Sequence, residues 1–341
     1  MESEFRQAVA EGLLHGVVAA LGTADSLPVL VAMGDAAVAP ERIPMRADAI
    51  FDLASVTKAV ATASACGICI DEGLIDPAAP ATDYLPELGT FGGVPPRVHH
   101  LATHSSGFDN RKFDKLDPGA MLAAMLTTPA QWAPGERFEY SCRNYVVLGL
   151  LVERVTGEGL GAFCQRRLFG PLGMTDTSFG PLRQVGARVV PTSVPPGIIS
   201  DEQARHANRP IGNAGLFATA ENLWRFCRMI LNNGWCGDRR ILGERALAWL
   251  LRPCSPPGLA NRSFGWDMRR QEETPCRPAL ASPSAIGHSG WSGQSVWIDP
   301  EQGFCTIVLT NRSHRPIKSD NYLASKKFRS KIADWMIRNR G

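Results

Sequence analysis

Two apolar runs, "GVVAALGTA" and "LPVLVAMG", stand close to the start of the chain with a polar break between them, and their β-forming residues predict a hairpin. Helix-period patterns then dominate: residues 55 to 73, "GAMLAAMLTT", "YVVLGLLVERVTG" and "ENLWRFCRMILNNG", separated by loops rich in Gly and Pro. The β pattern returns in "SFGWDMRR", "SAIGHSGWSGQSVWIDP" and "GFCTIVLTNR", after breaks at "PCSPPG" and "PCRPALASP". The final stretch sets Phe328, Ile332, Trp335 and Met336 on one helical face and lysines and arginines on the other. A helix docked on the sheet fits this pattern; a basic membrane-surface helix is the alternative.

Strands at both ends of the chain predict an α+β fold, an α/β sandwich whose antiparallel sheet is built from N- and C-terminal strands and flanked by helices. Residues 1–80 and 220–341 form the expected sheet lobe. Residues 81–219 form an inserted, mainly helical lobe, with a cleft between the two.

Composition narrows the function. A chain of 341 residues with 44% hydrophobic positions can bury a large core. A net charge of +3, with bases and acids interspersed, gives no basic stripe for nucleic acid. No run of about 20 apolar residues predicts a membrane span. The acidic start "MESEFRQAVAEGLLHG" does not read as a secretory signal, so the expected compartment is the cytoplasm. Nine scattered cysteines, an odd count, fit reduced thiols better than a disulfide framework. The one CxxC, Cys66 and Cys69, lies in an apolar helical stretch and reads as core thiols rather than a zinc or redox pair.

The stretch "FDLASVTKAVAT" carries the candidate chemistry. Residues three apart on a helix share a face, which brings Lys58 beside Ser55. Val56, Ala59, Val60, Ala61, Ala63, Cys66 and Ile68 make the helix apolar on nearly every side, so Lys58 has no free route to water. A lysine held out of water can activate a serine as base or hold a second base anionic. The plain alternative is a capping serine with a surface lysine. His100 and His104 have a spacing that suits two zinc ligands, but no third ligand is evident. The glycines of "TGEGLGAF" follow a helix and lack a phosphate-binding lysine. No cofactor or metal is expected.

The segments "FDLASVTKAVAT", "HLATHSSGF", "PGERFEYSCRNYVVLGLLVERVTG", "GPLGMTDTSF", "NAGLFATAENLWRF" and "IGHSGWSGQSVWIDPE" occur in the order of one family. The chain resembles the serine β-lactamase-like hydrolases, the group of class C β-lactamases, penicillin-binding DD-peptidases, family VIII esterases and related acyltransferases, over nearly all of residues 15 to 312. The resemblance implies Ser55 as nucleophile with Lys58 and Tyr140 moving its proton, and the Ser55 and Trp291 backbone N–H groups as oxyanion donors. It implies a substrate-binding strand at His288, Ser289 and Gly290, and a structural role for the histidine-rich segment. Cys142 stands where the family carries an asparagine that bonds the substrate's acyl-side amide, and a thiol replaces it poorly. Asn144 is the nearest amide and would need a shifted backbone. The expected function is therefore a serine hydrolase forming an acyl-enzyme on Ser55, an esterase for a small ester. The alternatives are a D-peptidase or amidase, a weak β-lactamase, an acyltransferase, and a catalytically silent scaffold. The expected partner is a small ester, amide or lactam.

Overall fold

The computed structural model describes residues 1–269, 276–317 and 321–340. The N-terminal hairpin pairs Gly16–Thr23 with Val29–Ala37, and Ile43–Pro44 adds an edge. The late β signal becomes Ile286–Ser289, Gln294–Asp299 and Phe304–Thr310. Phe304–Thr310 pairs antiparallel along Gly16–Thr23, with Val17 opposite Thr310, and joins both sets into one six-stranded antiparallel sheet. Ile286–Ser289 forms the edge remote from Ile43–Pro44. The fold is the mixed helix and antiparallel-sheet architecture expected from the patterning.

Both faces of the sheet are covered, which is why its strands read as near-continuous apolar runs. Successive residues point to opposite faces. Val17, Ala19 and Leu21, with Phe304 and Val308, pack against Ala8 of the Glu2–Ala10 helix and Phe328, Ile332, Met336 and Ile337 of the Tyr322–Arg338 helix. The apolar face of the C-terminal helix is thus docked on the sheet, and each of these large side chains contributes roughly 1.5–3 kcal/mol by burial. Val18 and Ala20 face the other way, into a core shared with Leu223, Phe226 and Ile230 of the Ala220–Leu231 helix.

Two local expectations change. "SFGWDMRR" forms no strand: Gly265 has φ +99°, a left-handed turn, and a Cβ there would lie 2.4 Å from that of Ala63. Only Asp267 is sheet-like, bridging Gly287 through two backbone hydrogen bonds of 2.7 and 2.9 Å; Arg270, the end of that run, lies outside the described residues. The helix expected from residue 55 starts directly after it, with Val56 and Thr57 already helical, but its next stretch, Lys58–Ala63, is π-wound before Ser64–Asp71 continues as α-helix. Ser55 therefore sits in the turn before the helix. Cys66 and Cys69 are buried free thiols, and burial pushes Cys69 up to about 12. Among the described residues, no helix is long and apolar enough to cross a membrane.

A small three-stranded sheet, in the order Phe51–Asp52, Leu216–Ala218, Ser178–Phe179, anchors the segment leading to Ser55. The Cys142–Thr156 helix packs against the π-wound segment from another side.

Candidate active site

Asp52 shapes the turn that presents Ser55. Its fully buried carboxylate accepts the Ala54 N–H at 2.8 Å and the Ser200 N–H at 2.7 Å. Burial lifts its pKa, against the pull of those hydrogen bonds. The chain then passes through Ala54 at φ +44°, a left-handed conformation that strains a non-glycine residue by roughly 1–3 kcal/mol. That strain sits one residue before the candidate nucleophile.

Lys58 is fully buried, and its Nζ reaches Ser55 Oγ at 2.9 Å, the Asn213 carbonyl at 2.8 Å and Cys142 Sγ at 3.6 Å. An ammonium has three hydrogens to donate, and these acceptors suit them. Burial works against the charge, but the negative ends of Cys142, Tyr140 and Asp201 outweigh it and lift the lysine above its ordinary range. Lys58 Nζ also stands 5.3 Å from the centroid of the Tyr140 ring. Burial lifts the Tyr140 phenol, while the Lys58 charge and neighbouring Ser55 pull the other way.

Tyr140 leans on His104, with ring centroids 4.4 Å apart. His104 is fully buried, in a left-handed backbone conformation, and burial holds its imidazole neutral, well below its ordinary range. Its Nδ1 accepts from the Ser141 N–H at 3.3 Å and faces the Asn144 amide nitrogen at 3.2 Å. Asn144 is itself fully buried, its oxygen taken by Ser106 Oγ at 2.5 Å. The structure thus sets Asn144 in the wall behind Tyr140, with its amide committed to protein partners, while half-buried Cys142 lies at Lys58. His100 Nδ1 accepts from the Arg97 N–H, and among the described residues no group of three or more His, Cys, Asp or Glu side chains could hold a metal ion.

The Ile286–Ser289 strand exits beside Ser55. A Cβ on Gly290 would stand 2.5 Å from the Leu53 carbonyl, so only glycine lets this turn meet the one that precedes the serine. Ser292 ties the two together by donating to the Asp52 carbonyl at 3.0 Å. His288 Nδ1 donates to the Ser289 carbonyl at 3.0 Å, and burial lowers the ring to about 3, helped by Arg262 and Lys58 against the pull of Asp267. At neutral pH it brings no positive charge to the strand. Ser289 is half-buried, and the 44% exposed Trp291 lines the same cleft as Ser55. Among the described residues, neither the Ser55 nor the Trp291 backbone N–H donates to a backbone acceptor.

Sequence reasoning missed Asn213, which acts through its carbonyl, and Asp201 and Asp52, which no short-range spacing connects to Ser55. The histidine-rich segment, read as structural, supports Tyr140 from behind.

The Beta-lactamase family model matches residues 1–327. The chain belongs to the beta-lactamase family. This family member is a serine hydrolase. It is similar to the putative D-alanyl-D-alanine carboxypeptidase of Escherichia coli K12, 28% identical over 84% of this chain and 76% of that protein. In fold it is similar to Simvastatin Synthase (LovD) from Aspergillus terreus, LovD6 mutant, with a TM-score of 0.75, 19% identity and coverage of 99% and 95%. It is also similar to EstCE1, described as a hydrolase with promiscuous acyltransferase activity, with a TM-score of 0.74, 21% identity and coverage of 96% and 97%. A beta-lactamase (Mb2281c) from Mycobacterium bovis aligns with a TM-score of 0.66, 20% identity and 98% coverage of both chains.

Proposed function

We propose that this hydrolase works through an acyl-enzyme on Ser55 and acts first as an esterase on a small ester. The observation that carries the reading is the contact between buried Lys58 Nζ and Ser55 Oγ at 2.9 Å, with the same Nζ 5.3 Å from the centroid of the Tyr140 ring. Lys58, as ammonium, donates to Ser55 Oγ and leaves the hydroxyl hydrogen free to face Tyr140. Neither resting group is a strong free base, since both hold their protons beyond their ordinary ranges. The reacting form is therefore the one in which Tyr140 has given its proton to water and stands as a phenolate beside the Lys58 ammonium; as Ser55 attacks the carbonyl its proton passes to Tyr140 Oη, which becomes a neutral phenol while Lys58 keeps its charge. The Ser55 and Trp291 N–H groups hold the oxyanion. The leaving alcohol takes the proton back, and water enters by the same route in reverse to release the acid.

Esterase is favoured over amidase because the acyl-side amide partner is a thiol at Cys142 and Asn144 is committed elsewhere. Substrate contacts are assigned to Cys142, His288, Ser289 and Gly290. The D-alanyl-D-alanine carboxypeptidase description of the Escherichia coli protein supports a D-peptidase as the second reading. The acyltransferase activity ascribed to EstCE1 supports transfer to a bound alcohol from the same acyl-enzyme.

Intact-protein mass spectrometry after brief exposure to a p-nitrophenyl ester, and separately to a penicillin, tests this. The expected result is an adduct mapped to Ser55 that is absent from Ser55→Ala and turns over faster with the ester. Full turnover by Ser55→Ala would remove the mechanism.

A further inference from the structure

The cleft at Ser55 has a volume of about 360 Å³, and its wall includes Lys112, Ser200, Asp201, Glu202 and Trp291. Its charges are not equivalent. Glu202 is ion-paired with Lys112 at the exposed rim. Asp201 makes no ion pair among the described residues, although its charge reaches Lys58 and, at the rim, Lys112.

The Asp201 carboxylate is fixed in place. One oxygen, Oδ1, accepts the Ala204 N–H at 2.8 Å and the Asn213 side-chain amide at 3.2 Å. The Asn213 carbonyl in turn accepts from Lys58, and Lys58 donates to Ser55 Oγ. A short chain of hydrogen bonds thus registers the carboxylate against the reacting serine. The second oxygen, Oδ2, has no hydrogen-bond partner among the described residues. The His288 strand adds no cation to the cleft, for its buried imidazole is neutral. Arg312 is buried behind the wall, outside the cleft lining, where it donates to the Trp291 carbonyl at 2.6 Å and lies over the Trp291 ring at 5.3 Å from its centroid. Trp291, 44% exposed, presents the part of its ring that Arg312 leaves uncovered in the same space, a second surface that a cation can lie against.

Resting on the acyl-enzyme reading above, we propose that Asp201 selects an acyl donor with an ammonium group on its acyl side, held by the free carboxylate oxygen against Trp291. A group on the acyl side stays in the cleft through both acylation and deacylation, so a fixed carboxylate can act on it in each step. Lys58 opposes a cation close to the serine, which confines the ammonium to the Asp201 end of the cleft.

Three p-nitrophenyl esters of similar length test this at pH 7: β-alanyl (cationic), butyryl (neutral) and hemisuccinyl (anionic). Adduct mass on Ser55 is followed alongside kcat and KM. The wild-type enzyme is expected to favour the β-alanyl ester over the butyryl by about tenfold in kcat/KM, with the hemisuccinyl ester slowest. In Asp201→Asn, which retains an oxygen for the Ala204 N–H, that ratio should fall about tenfold, with the loss in KM for the cationic ester. Asp201→Ser, which also keeps a capping oxygen, should give the same fall. A wild-type ratio within about twofold, or a ratio unmoved by either substitution, overturns the inference and leaves the acyl-enzyme reading standing. Uptake of none of the three esters on Ser55 overturns both.

Discussion

Replacing Cys142 by asparagine tests how this site chooses between esters and amides. Cys142 opens the Cys142–Thr156 helix, its N–H held by Asn110 Oδ1 at 2.9 Å and its Sγ 3.6 Å from Lys58 Nζ. Sulfur at that distance is a weak acceptor, and the thiol is a weak donor to any substrate. An asparagine of similar size would accept from Lys58 through its oxygen and keep two N–H donors for a substrate's acyl-side amide. One added neutral hydrogen bond is worth about 1 kcal/mol net, or about fivefold in rate. The assay compares kcat/KM for a p-nitroanilide and a p-nitrophenyl ester that share an amide-bearing acyl group, such as N-acetyl-D-alanine, and for the two matching butyryl compounds. In Cys142→Asn, turnover of the acetylalanyl pair should gain about fivefold on the butyryl pair, and the anilide should gain at least as much as the ester, because the new bond orients the poorer leaving group. A changed grip on Lys58 acts on all four compounds and largely cancels in these ratios. Ratios that move by less than about twofold, or an anilide that loses ground to its ester, would refute the reasoning.

Lys58→Met and Tyr140→Phe should each lower kcat/KM for the ester by about a hundredfold or more, and a loss below about threefold at either would reduce that residue to support. Stability should fall on acidification. His288 is held at about 3 and His104 is also lowered, so below about pH 6.5 the unfolded chain binds protons that the folded chain refuses. Each such histidine removes about 1.4 kcal/mol per pH unit across that window, for His288 down to about pH 3, while Asp52, with its raised carboxyl, opposes this at the acid end. Circular-dichroism melts at pH 7 and 5 should therefore show a clear drop in Tm that is smaller in His288→Gln; equal Tm values at the two pH values would sink this account.

The sheet was legible because it rests on repetition: alternation along Gly16–Thr23 and Phe304–Thr310 survives any reasonable choice of boundaries. The burial of Lys58 was legible for a related reason, since its helix has no polar side to spare. Gly265 broke the expected "SFGWDMRR" strand because one left-handed residue overrides several β-formers around it. The surroundings of Ser55 divide in the same way. The serine, lysine and tyrosine carry their chemistry in their side chains, whereas Asn213 contributes a carbonyl that any residue could supply. Asp201 meets Lys58 only through a fold that brings positions 58 and 213 together, and residue spacing does not encode that.

The pairing of Gly16–Thr23 with Phe304–Thr310 also sets a timetable for synthesis. A nascent chain has made Ser55, Lys58 and Tyr140 long before it makes Gly290, whose turn closes against Leu53. At about 5–20 residues per second, translation from Lys58 to Gly290 takes roughly 10–50 s. Through that interval the first hairpin has an unpaired edge where the last strands will dock, so the growing chain exposes a strand ready to pair with a neighbour. Such distant pairings also form slowly once the chain is complete. The serine and its lysine are therefore carried without the Ile286–Ser289 strand until the stretch around Gly290 has been made, and the cleft beside Ser55 closes only after that late pairing.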